Sequence, residues 1–296
     1  MEEGRPSASA IASAMMRAAH FLWDEEPKIL QDRLALGLSG IENEAALRSA
    51  LDTLQAEFAQ RTTPEFARAF FSYARAGITM RQRYTEEELG KAVKRGVRQY
   101  VILGAGLDSF AYRRPDLASI LRVFEVDHPA TQLWKCTRVQ ELHLTLPGNL
   151  TFIPLNFEQQ TLAEGLRAGG HQTEVPTFFS WLGVTMYLTE TAVFETLGYV
   201  ASLAPGSEIV FEYYPPEAEL AEESRRLLGM MKATWAARGE PFLSAFEPTA
   251  LAARVKERGF TEVWDLGPEE ANGRYFAGRT DGLRTPPILH LLKARV

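Results

Sequence analysis

The sequence has little of what marks secreted, membrane-spanning or nucleic-acid-binding proteins. Its single cysteine, Cys136, excludes an internal disulfide and fits a reducing, cytoplasmic setting. No uncharged apolar run reaches the roughly 18 residues of a membrane span, so no membrane partner is expected. The first residues, MEEGRPSASAIASAMM, lack the basic and apolar stretches of a secretory signal. The net charge is −6 without a basic stripe, which argues against a nucleic-acid partner. The five histidines show no ligand spacing, so no metal is expected.

Hydrophobic residues make up 46% of the 296 residues, enough for one α/β domain with a helical annex. Residues 1–96 form a helical unit by their apolar periodicity, and Thr85 is expected to cap its fourth helix. In residues 97–296, strands alternate with helices, which predicts a parallel sheet covered on both faces. The predicted strands are 99–103, 121–126, 151–153, 177–182, 208–212, 261–266 and 287–293. A helical insert is expected at about 215–245, and a loop rich in glycine and proline at 267–286.

One stretch of the sequence predicts a ligand-binding site. In it, a strand is followed by a glycine loop, a helix, a second strand and an acidic residue. Gly104 and Gly106 stand where the first strand must turn and where a ligand can approach the backbone, although they are also able merely to form a tight turn. Asp127 ends the second strand, at a place where a carboxylate can bind the ribose hydroxyls of an adenosine cofactor or cap the next helix. Glu125 points to the same side of that strand and is a second candidate, with a structural ion pair as its alternative role.

The loop chemistry favours S-adenosylmethionine over a dinucleotide. Ser109 occupies the third glycine position of the dinucleotide motif, and Asp108 would repel a pyrophosphate. The positively charged sulfonium of S-adenosylmethionine tolerates such an acid. The alternative interpretation is an NAD-dependent oxidoreductase on a Rossmann domain.

The strings QYVILGAGLD (99–108) and VFEVDHP (123–129), with Tyr112-Arg113 and Lys135, resemble the leucine carboxyl methyltransferase family. The likeness is strongest to its bacterial branch of S-adenosylmethionine-dependent methyltransferases and runs from about residue 15 to 213. It implies a class I methyltransferase fold: a Rossmann-like, doubly wound, mostly parallel sheet with an N-terminal helical lid and a helical insert after the fifth strand.

The resemblance also implies roles for individual residues. Arg81 matches an arginine that clamps the methionine carboxylate, although Arg17, Arg75 and Arg83 compete for that role. The residues that match the cofactor-binding positions of the family are Gly104, Ala105, Gly106, Asp127, Asn156 and Phe157. One departure is clear, because Leu182 stands where the family commonly has a glutamate, and this puts the acceptor side of the site in doubt.

Three tyrosines follow core strands at the edge where acceptors bind in such folds. Tyr187 is a candidate for positioning the reacting groups, and Tyr213 and Tyr214 are candidates for contacting substrate. Each of them is also able to serve as core packing.

The predicted activity is methyl transfer to an oxygen, most simply the carboxylate of a small apolar acid. A carboxyl group with a pKa near 4 is ionised at neutral pH and needs no general base, and none is evident in the sequence. A protein C-terminal carboxylate is an alternative acceptor, and a binding protein that has lost turnover is a further alternative. The sequence carries no signal for the oligomeric state.

Overall fold

The fold is a single sheet with helices on both faces, seen in a computed structural model that describes residues 7–156 and 160–296. The strands are β1 (Gln99–Leu103), β2 (Arg122–Asp127), β3 (Leu150–Pro154), β4 (Thr177–Trp181), β5 (Glu208–Tyr213), β6 (Glu262–Leu266) and β7 (His290–Arg295). The helices are α1 (Ala8–Trp23), α2 (Ala35–Ser39), α3 (Glu44–Gln60), α4 (Pro64–Lys94), α5 (Phe110–Arg113), α6 (Pro129–Glu141), α7 (Leu162–Ala168), α8 (Glu190–Ala201), α9 (Glu222–Ala236), α10 (Pro248–Glu257) and α11 (Pro268–Tyr275). None of the described helices is both long and apolar enough to cross a bilayer.

The strand order is β3-β2-β1-β4-β5-β7-β6. Strands β1 to β5 pair in parallel, whereas β7 runs antiparallel to both of its neighbours. The doubly wound, mostly parallel sheet expected from the sequence is thereby confirmed. The chain adds β2 and β3 on one side of β1 and then adds β4 and β5 on its other side. A crevice opens at the carboxyl ends of β1 and β4, where this direction reverses.

Alternating side chains build one core on each face of the sheet. Tyr100 and Ile102 of β1 belong to the cluster that contains residues of α4, whereas Val101 and Leu103 belong to the cluster that contains residues of α7 and α8. Strands buried on both faces explain the nearly continuous apolar runs in the sequence.

The N-terminal helices have a small apolar cluster of their own. Met15 and Met16 of α1 meet Leu47 and Leu51 of α3 there. Helix α4 packs Phe71 and Ile78 against this cluster and contributes Met80 and Tyr84 to a core of the sheet, so it connects the helical annex to the strand domain.

Thr85 does not cap a helix, contrary to the expectation from its sequence context. It lies inside α4, where its hydroxyl donates to the Arg81 carbonyl at 2.8 Å. Helix α4 begins earlier, with Thr63 as N-cap and Pro64 in the first turn, and it continues for 31 residues. The hydroxyl bonds back to the preceding turn, which a threonine inside a helix can also do.

The loop expected at 267–286 contains helix α11. Pro268 lies in its first turn, followed by Glu269 and Glu270, so both proline geometry and the helix dipole favour a start there. The rest of that segment is irregular up to β7.

Candidate functional site

A cavity of about 1210 Å³ opens at the carboxyl edge of β1 and β4. Its wall contains the loop after β1, the tip of β2 and the loop after β4, together with parts of α1 and α4 and residues 239–241 and 243. A single drug-sized ligand occupies a pocket of roughly 300–1,000 Å³, so this cavity has room for two ligands side by side.

The glycine loop forms the floor of the cavity. Gly104 and Gly106 have φ angles of +66° and +51°, in the left-handed region that favours glycine. A Cβ at Gly104 would overlap the Val184 Cγ2 atom, and one at Gly106 would lie 3.1 Å from the Ala10 Cβ. Ala105 also lines the cavity, and its N–H donates to the Val126 carbonyl at 3.1 Å. The loop is therefore shaped by close approach from α1 and from the chain after β4.

Asp127 stands beside this loop at the tip of β2 and lines the cavity. Its carboxylate accepts the N–H of Gly106 and, at 2.6 Å, the N–H of His128. Burial raises the pKa of the Asp127 carboxyl, while these two N–H groups act to lower it. His128, and not Asp127, caps α6 by accepting the Ala130 N–H with its side chain. The capping role considered for Asp127 thus belongs to its neighbour.

Asn156 lies in the same wall as Asp127. Phe157, predicted beside it, falls outside the described residues.

Arg81 belongs to α4 and lines the cavity. Its guanidinium forms an ion pair with Glu212, and its Nη2 lies 3.5 Å from the Ser13 Oγ. Arg17 also lines the cavity, but its Nε and Nη2 donate to Asp32 at 2.8 Å and to the Leu107 carbonyl at 2.6 Å.

The other two arginines considered for the clamp lie elsewhere. Arg75 pairs with Asp24 at 2.8 Å, and Arg83 pairs with Glu87 at 2.6 Å. Neither belongs to the cavity wall formed by the described residues.

Glu125 is not part of the cavity wall formed by the described residues, and its role as a cofactor ligand stays a prediction. It is fully buried and forms an ion pair with Lys135 of α6. Burial raises the pKa of Glu125 to about 7, and the Lys135 ammonium acts to lower it. Strand alternation puts Glu125 and Asp127 on the same side of β2. Helix α6 covers Glu125, whereas Asp127 at the end of the strand lines the cavity.

The three tyrosines occupy different places. Tyr187 lines the cavity, with its ring edge-on to that of Phe242 at 5.3 Å. Tyr213 is buried in the core on the other face, where its hydroxyl donates to Asp265 at 2.6 Å. Tyr214 is buried in the first core and donates to Glu212 at 2.8 Å. Core packing thus keeps both side chains out of the wall formed by the described residues, and substrate contact by Tyr213 and Tyr214 stays a prediction.

Glu240 and Ser9 are among the wall residues that the sequence analysis did not identify. Glu240, from the end of the insert, accepts the Ser7 hydroxyl at 3.0 Å and the Ala8 N–H at 3.1 Å, both with Oε1. Its Oε2 is shielded from solvent and has no hydrogen-bond partner among the described residues. Ser9, at the start of α1, contacts the Ser7 hydroxyl at 2.9 Å. The two contacts of Glu240 join residues more than two hundred positions apart, so no local sequence pattern predicts them.

Comparison with known proteins supports the architecture. Residues 10–201 match the family model described as leucine carboxyl methyltransferase. The chain is 32% identical to the "putative S-adenosyl-L-methionine-dependent methyltransferase YktD" of Bacillus subtilis (strain 168), over 99% of each chain. A protein of the same description from Mycobacterium marinum is 34% identical over 50% of this chain and 49% of that protein.

Two solved structures share the fold. One is titled as a putative methyltransferase from Thermobifida fusca YX and has a TM-score of 0.60 at 17% identity, covering 99% of this chain and 96% of that one. A DUF574 family protein from Streptomyces avermitilis has a TM-score of 0.59 at 16% identity, covering 96% of both chains. The class I methyltransferase fold expected from the sequence is confirmed.

Proposed function

The chain belongs to the leucine carboxyl methyltransferase family, and from that premise we propose that it is an S-adenosylmethionine-dependent methyltransferase that methylates an oxygen of a small molecule. The observation that carries the proposal is the grouping of three features in one cavity: the glycine loop with its left-handed backbone, the Asp127 carboxylate and the Arg81 guanidinium. When bound, S-adenosylmethionine supplies an electrophilic methyl group. The chain binds it, orients the acceptor and excludes water.

The residues present fit this cofactor. Asp127 offers a carboxylate at the strand tip for the two ribose hydroxyls, and Asn156 offers an amide for the adenine amino group. Gly104 and Gly106 leave the backbone open to the amino-acid portion, where Arg81 provides a planar donor for its carboxylate.

The same loop is less suited to a dinucleotide. The Ser109 hydroxyl, at the third glycine position, donates to the buried Asp32 at 2.7 Å. Asp108 lies in the cavity wall, where a pyrophosphate would meet its negative charge.

A small acceptor suits the enclosure of the cavity. Ser9 of α1 and residues 239–241 and 243, near the end of the insert, contribute to the wall, and the Leu243 N–H donates to the Met186 carbonyl at 2.7 Å. We propose that the helical unit 1–96 and the insert act together as a lid over the core domain, 97–296. Orientation of two reactants in such an enclosure lowers a barrier by roughly 7–11 kcal/mol in favourable cases.

A carboxylate is the simplest acceptor, since it is already ionised at neutral pH and Tyr187 then has only to position it. Burial raises the pKa of the Tyr187 hydroxyl well above its usual value, so it remains a hydrogen-bond donor. Glu240 favours a second candidate, a hydroxyl acceptor. Its carboxylate would repel an acid placed next to it, and it is able to accept a proton from an alcohol or phenol.

The test has two stages. Thermal-shift titrations with S-adenosylhomocysteine and NAD first identify the cofactor class, and stabilisation by NAD alone would contradict the proposal. Release of S-adenosylhomocysteine is then measured across matched pairs of carboxylic acids and their alcohol or phenol analogues. A carboxylate acceptor gives a rate that is flat above about pH 5, because the acid is ionised there. A hydroxyl acceptor gives a rate that falls when Glu240 is replaced by Gln.

A further inference from the structure

Glu212 is a buried carboxylate that meets three donors from three parts of the chain. It lies near the carboxyl end of β5 and is 1% exposed. Its Oε2 accepts Arg81 and, at 2.8 Å, the N–H of Gly183, and its Oε1 accepts the Tyr214 hydroxyl at 2.8 Å. Three polar contacts of this kind around one group fix its orientation.

Arg81 depends on this carboxylate for its place in the cavity. Its side chain is long and flexible, and apart from Glu212 its guanidinium has, among the described residues, only the 3.5 Å hydrogen bond to the Ser13 hydroxyl. Gly183 completes the arrangement. Its φ is +71°, and a Cβ there would lie 2.9 Å from both guanidinium Nη atoms. The guanidinium therefore lies against bare backbone on one side and against Glu212 on another.

We propose that Glu212 is a positioning residue, which holds the Arg81 guanidinium in the orientation that binds the amino-acid carboxylate of the cofactor. This inference rests on the proposed function. Leu182, one residue before Gly183, leaves this region without the glutamate that the family resemblance predicts there, and Glu212 supplies a carboxylate from the neighbouring strand.

Charge and position make opposite predictions here, which allows a sharp test. A carboxylate beside Arg81 reduces the attraction of that cation for an anion, so by charge alone its removal strengthens binding of the cofactor carboxylate. If Glu212 acts by position, moving or deleting its oxygens weakens that binding. Glutamine keeps the arrangement without the charge, because its carbonyl oxygen can accept Arg81 and Gly183 while its amino group donates to the Tyr214 oxygen.

The experiment compares two ligands by isothermal titration calorimetry. S-adenosylhomocysteine carries the amino-acid carboxylate, whereas 5′-methylthioadenosine has the same nucleoside and a thioether but lacks it. The ratio of the two affinities reports on the carboxylate clamp alone, since damage to the rest of the pocket weakens both ligands. The variants are Glu212→Asp, Glu212→Leu and Glu212→Gln.

Glu208→Gln is the matched control, because Glu208 is a fully buried glutamate at the other end of β5 that pairs with Arg95 and Lys293. We expect the preference for S-adenosylhomocysteine to fall at least about tenfold, or about 1.4 kcal/mol, in Glu212→Asp and Glu212→Leu. Glu212→Gln and Glu208→Gln should retain it.

A preference retained by Glu212→Asp, or lost equally in Glu212→Gln, overturns the inference. Glu212→Asp decides the question if Glu212→Leu does not fold. Failure of the unmodified chain to bind S-adenosylhomocysteine refutes the proposed function instead, so the two failures are distinguishable.

Discussion

At the scale of single residues, Asp127 has a local environment that prepares it to bind hydroxyl donors. Two backbone N–H groups, from Gly106 and His128, hold its carboxylate at the rim of the cavity. In Asp127→Asn, the amide would place its NH₂ group against one of these donors. Hydrogen bonds to charged groups contribute about 1.5–3 kcal/mol, so the affinity for S-adenosylhomocysteine should fall at least about tenfold. Calorimetry checks this, with the exposed Asp116→Asn as control.

The pH dependence of cofactor binding follows from the same carboxyl group. Burial raises the pKa of Asp127 above its ordinary value of 3.8. Ribose hydroxyls donate to the ionised form, so the affinity should decline as the pH is lowered through that raised pKa. The measurement is a calorimetric titration series from pH 8 down to below the ordinary pKa value of 3.8. An affinity that is equal at all pH values, in a chain that remains folded, would argue against ribose contact by Asp127.

Glu125 and Lys135 form a buried pair whose stability depends on pH. The folded pKa of Glu125, about 7, is raised above its ordinary value of 4.5. A carboxyl with a raised folded pKa favours folding at low pH, and that contribution is lost as the pH rises from about 4.5 through 7. Lys135→Met removes the ammonium that offsets the charge. Leaving a buried charge unpaired costs about 3–5 kcal/mol, so we expect this variant to be strongly destabilised at pH 8 and much less at pH 5.

Urea unfolding at the two pH values measures this difference. Glu125→Gln/Lys135→Met, which removes both charges, is the control and should show little pH dependence at this site. Equal destabilisation of Lys135→Met at both pH values would contradict the assignment.

Residue spacing singled out both Asp127 and Glu125 as candidates, and the structure places Asp127 in the cavity wall and Glu125 in a buried ion pair with Lys135. Both follow from the alternation of side chains along β2. Which of the two emerges from the sheet depends on how far α6 covers the strand, and that is a tertiary contact without a local sequence signal. The tyrosines show the same limit, since Tyr187 reaches the cavity while Tyr213 and Tyr214 pack in cores.

At the scale of elements, the turn after β1 is constrained by its neighbour after β4. Gly104→Ala would place a methyl group on the Val184 side chain at a positive φ. Overpacking of this kind costs about 1–3 kcal/mol, with about 1 kcal/mol more for the left-handed conformation. We expect a lower urea midpoint and a weaker affinity for S-adenosylhomocysteine.

A double variant separates the two costs of Gly104→Ala. In Gly104→Ala/Val184→Ala the overlap is relieved and only the backbone cost remains, so part of the stability should return. A double-mutant cycle measures this coupling. Strict additivity of the two substitutions would show that the overlap does not control the turn.

Strands were predicted more accurately than helix boundaries. The apolar run Gln99–Leu103 is bounded by Gly104 and coincides with β1, because a strand buried on both faces leaves a continuous signal. Thr85 was misplaced because a threonine followed by glutamates has the same appearance at an N-cap and inside a helix. Helix α11 was missed although Pro268 and two acids marked its start. The glycine and proline content of the whole segment favours a loop, whereas these three residues favour a helix start only locally.

At the scale of the whole molecule, the cavity wall brings together segments that are far apart in the chain. Ser7 and Ala8, at the start of α1, contact Glu240 near the end of the insert. The fold class could be predicted because strands and helices alternate regularly along the sequence. The glycine loop and Asp127 could be located because each lies within a short stretch. The closing contact and the Arg81–Glu212 pair could not, since they bring together residues that only the folded sheet places side by side.

Closure of the cavity should therefore depend on Glu240. In Glu240→Ala the Ser7 hydroxyl and the Ala8 N–H lose their acceptor, and the start of α1 loses its link to the insert. We expect faster amide hydrogen exchange in the first turn of α1 and faster dissociation of S-adenosylhomocysteine, by roughly tenfold for one charged hydrogen-bonded contact. Stopped-flow dissociation and exchange mass spectrometry provide the measurements.

A matched substitution distinguishes closure from a general loss of stability. Glu217 pairs with Lys232 at 2.6 Å within the insert region, and both side chains are about two-fifths exposed. Exposed pairs of this type contribute about 0–1 kcal/mol, so Glu217→Ala should leave the dissociation rate unchanged. If Glu240→Ala also left it unchanged while exchange in α1 increased, α1 and the insert would meet without retaining the ligand. We would then assign retention of the ligand to α4 and the loop after β4, where Arg81 lies against Gly183.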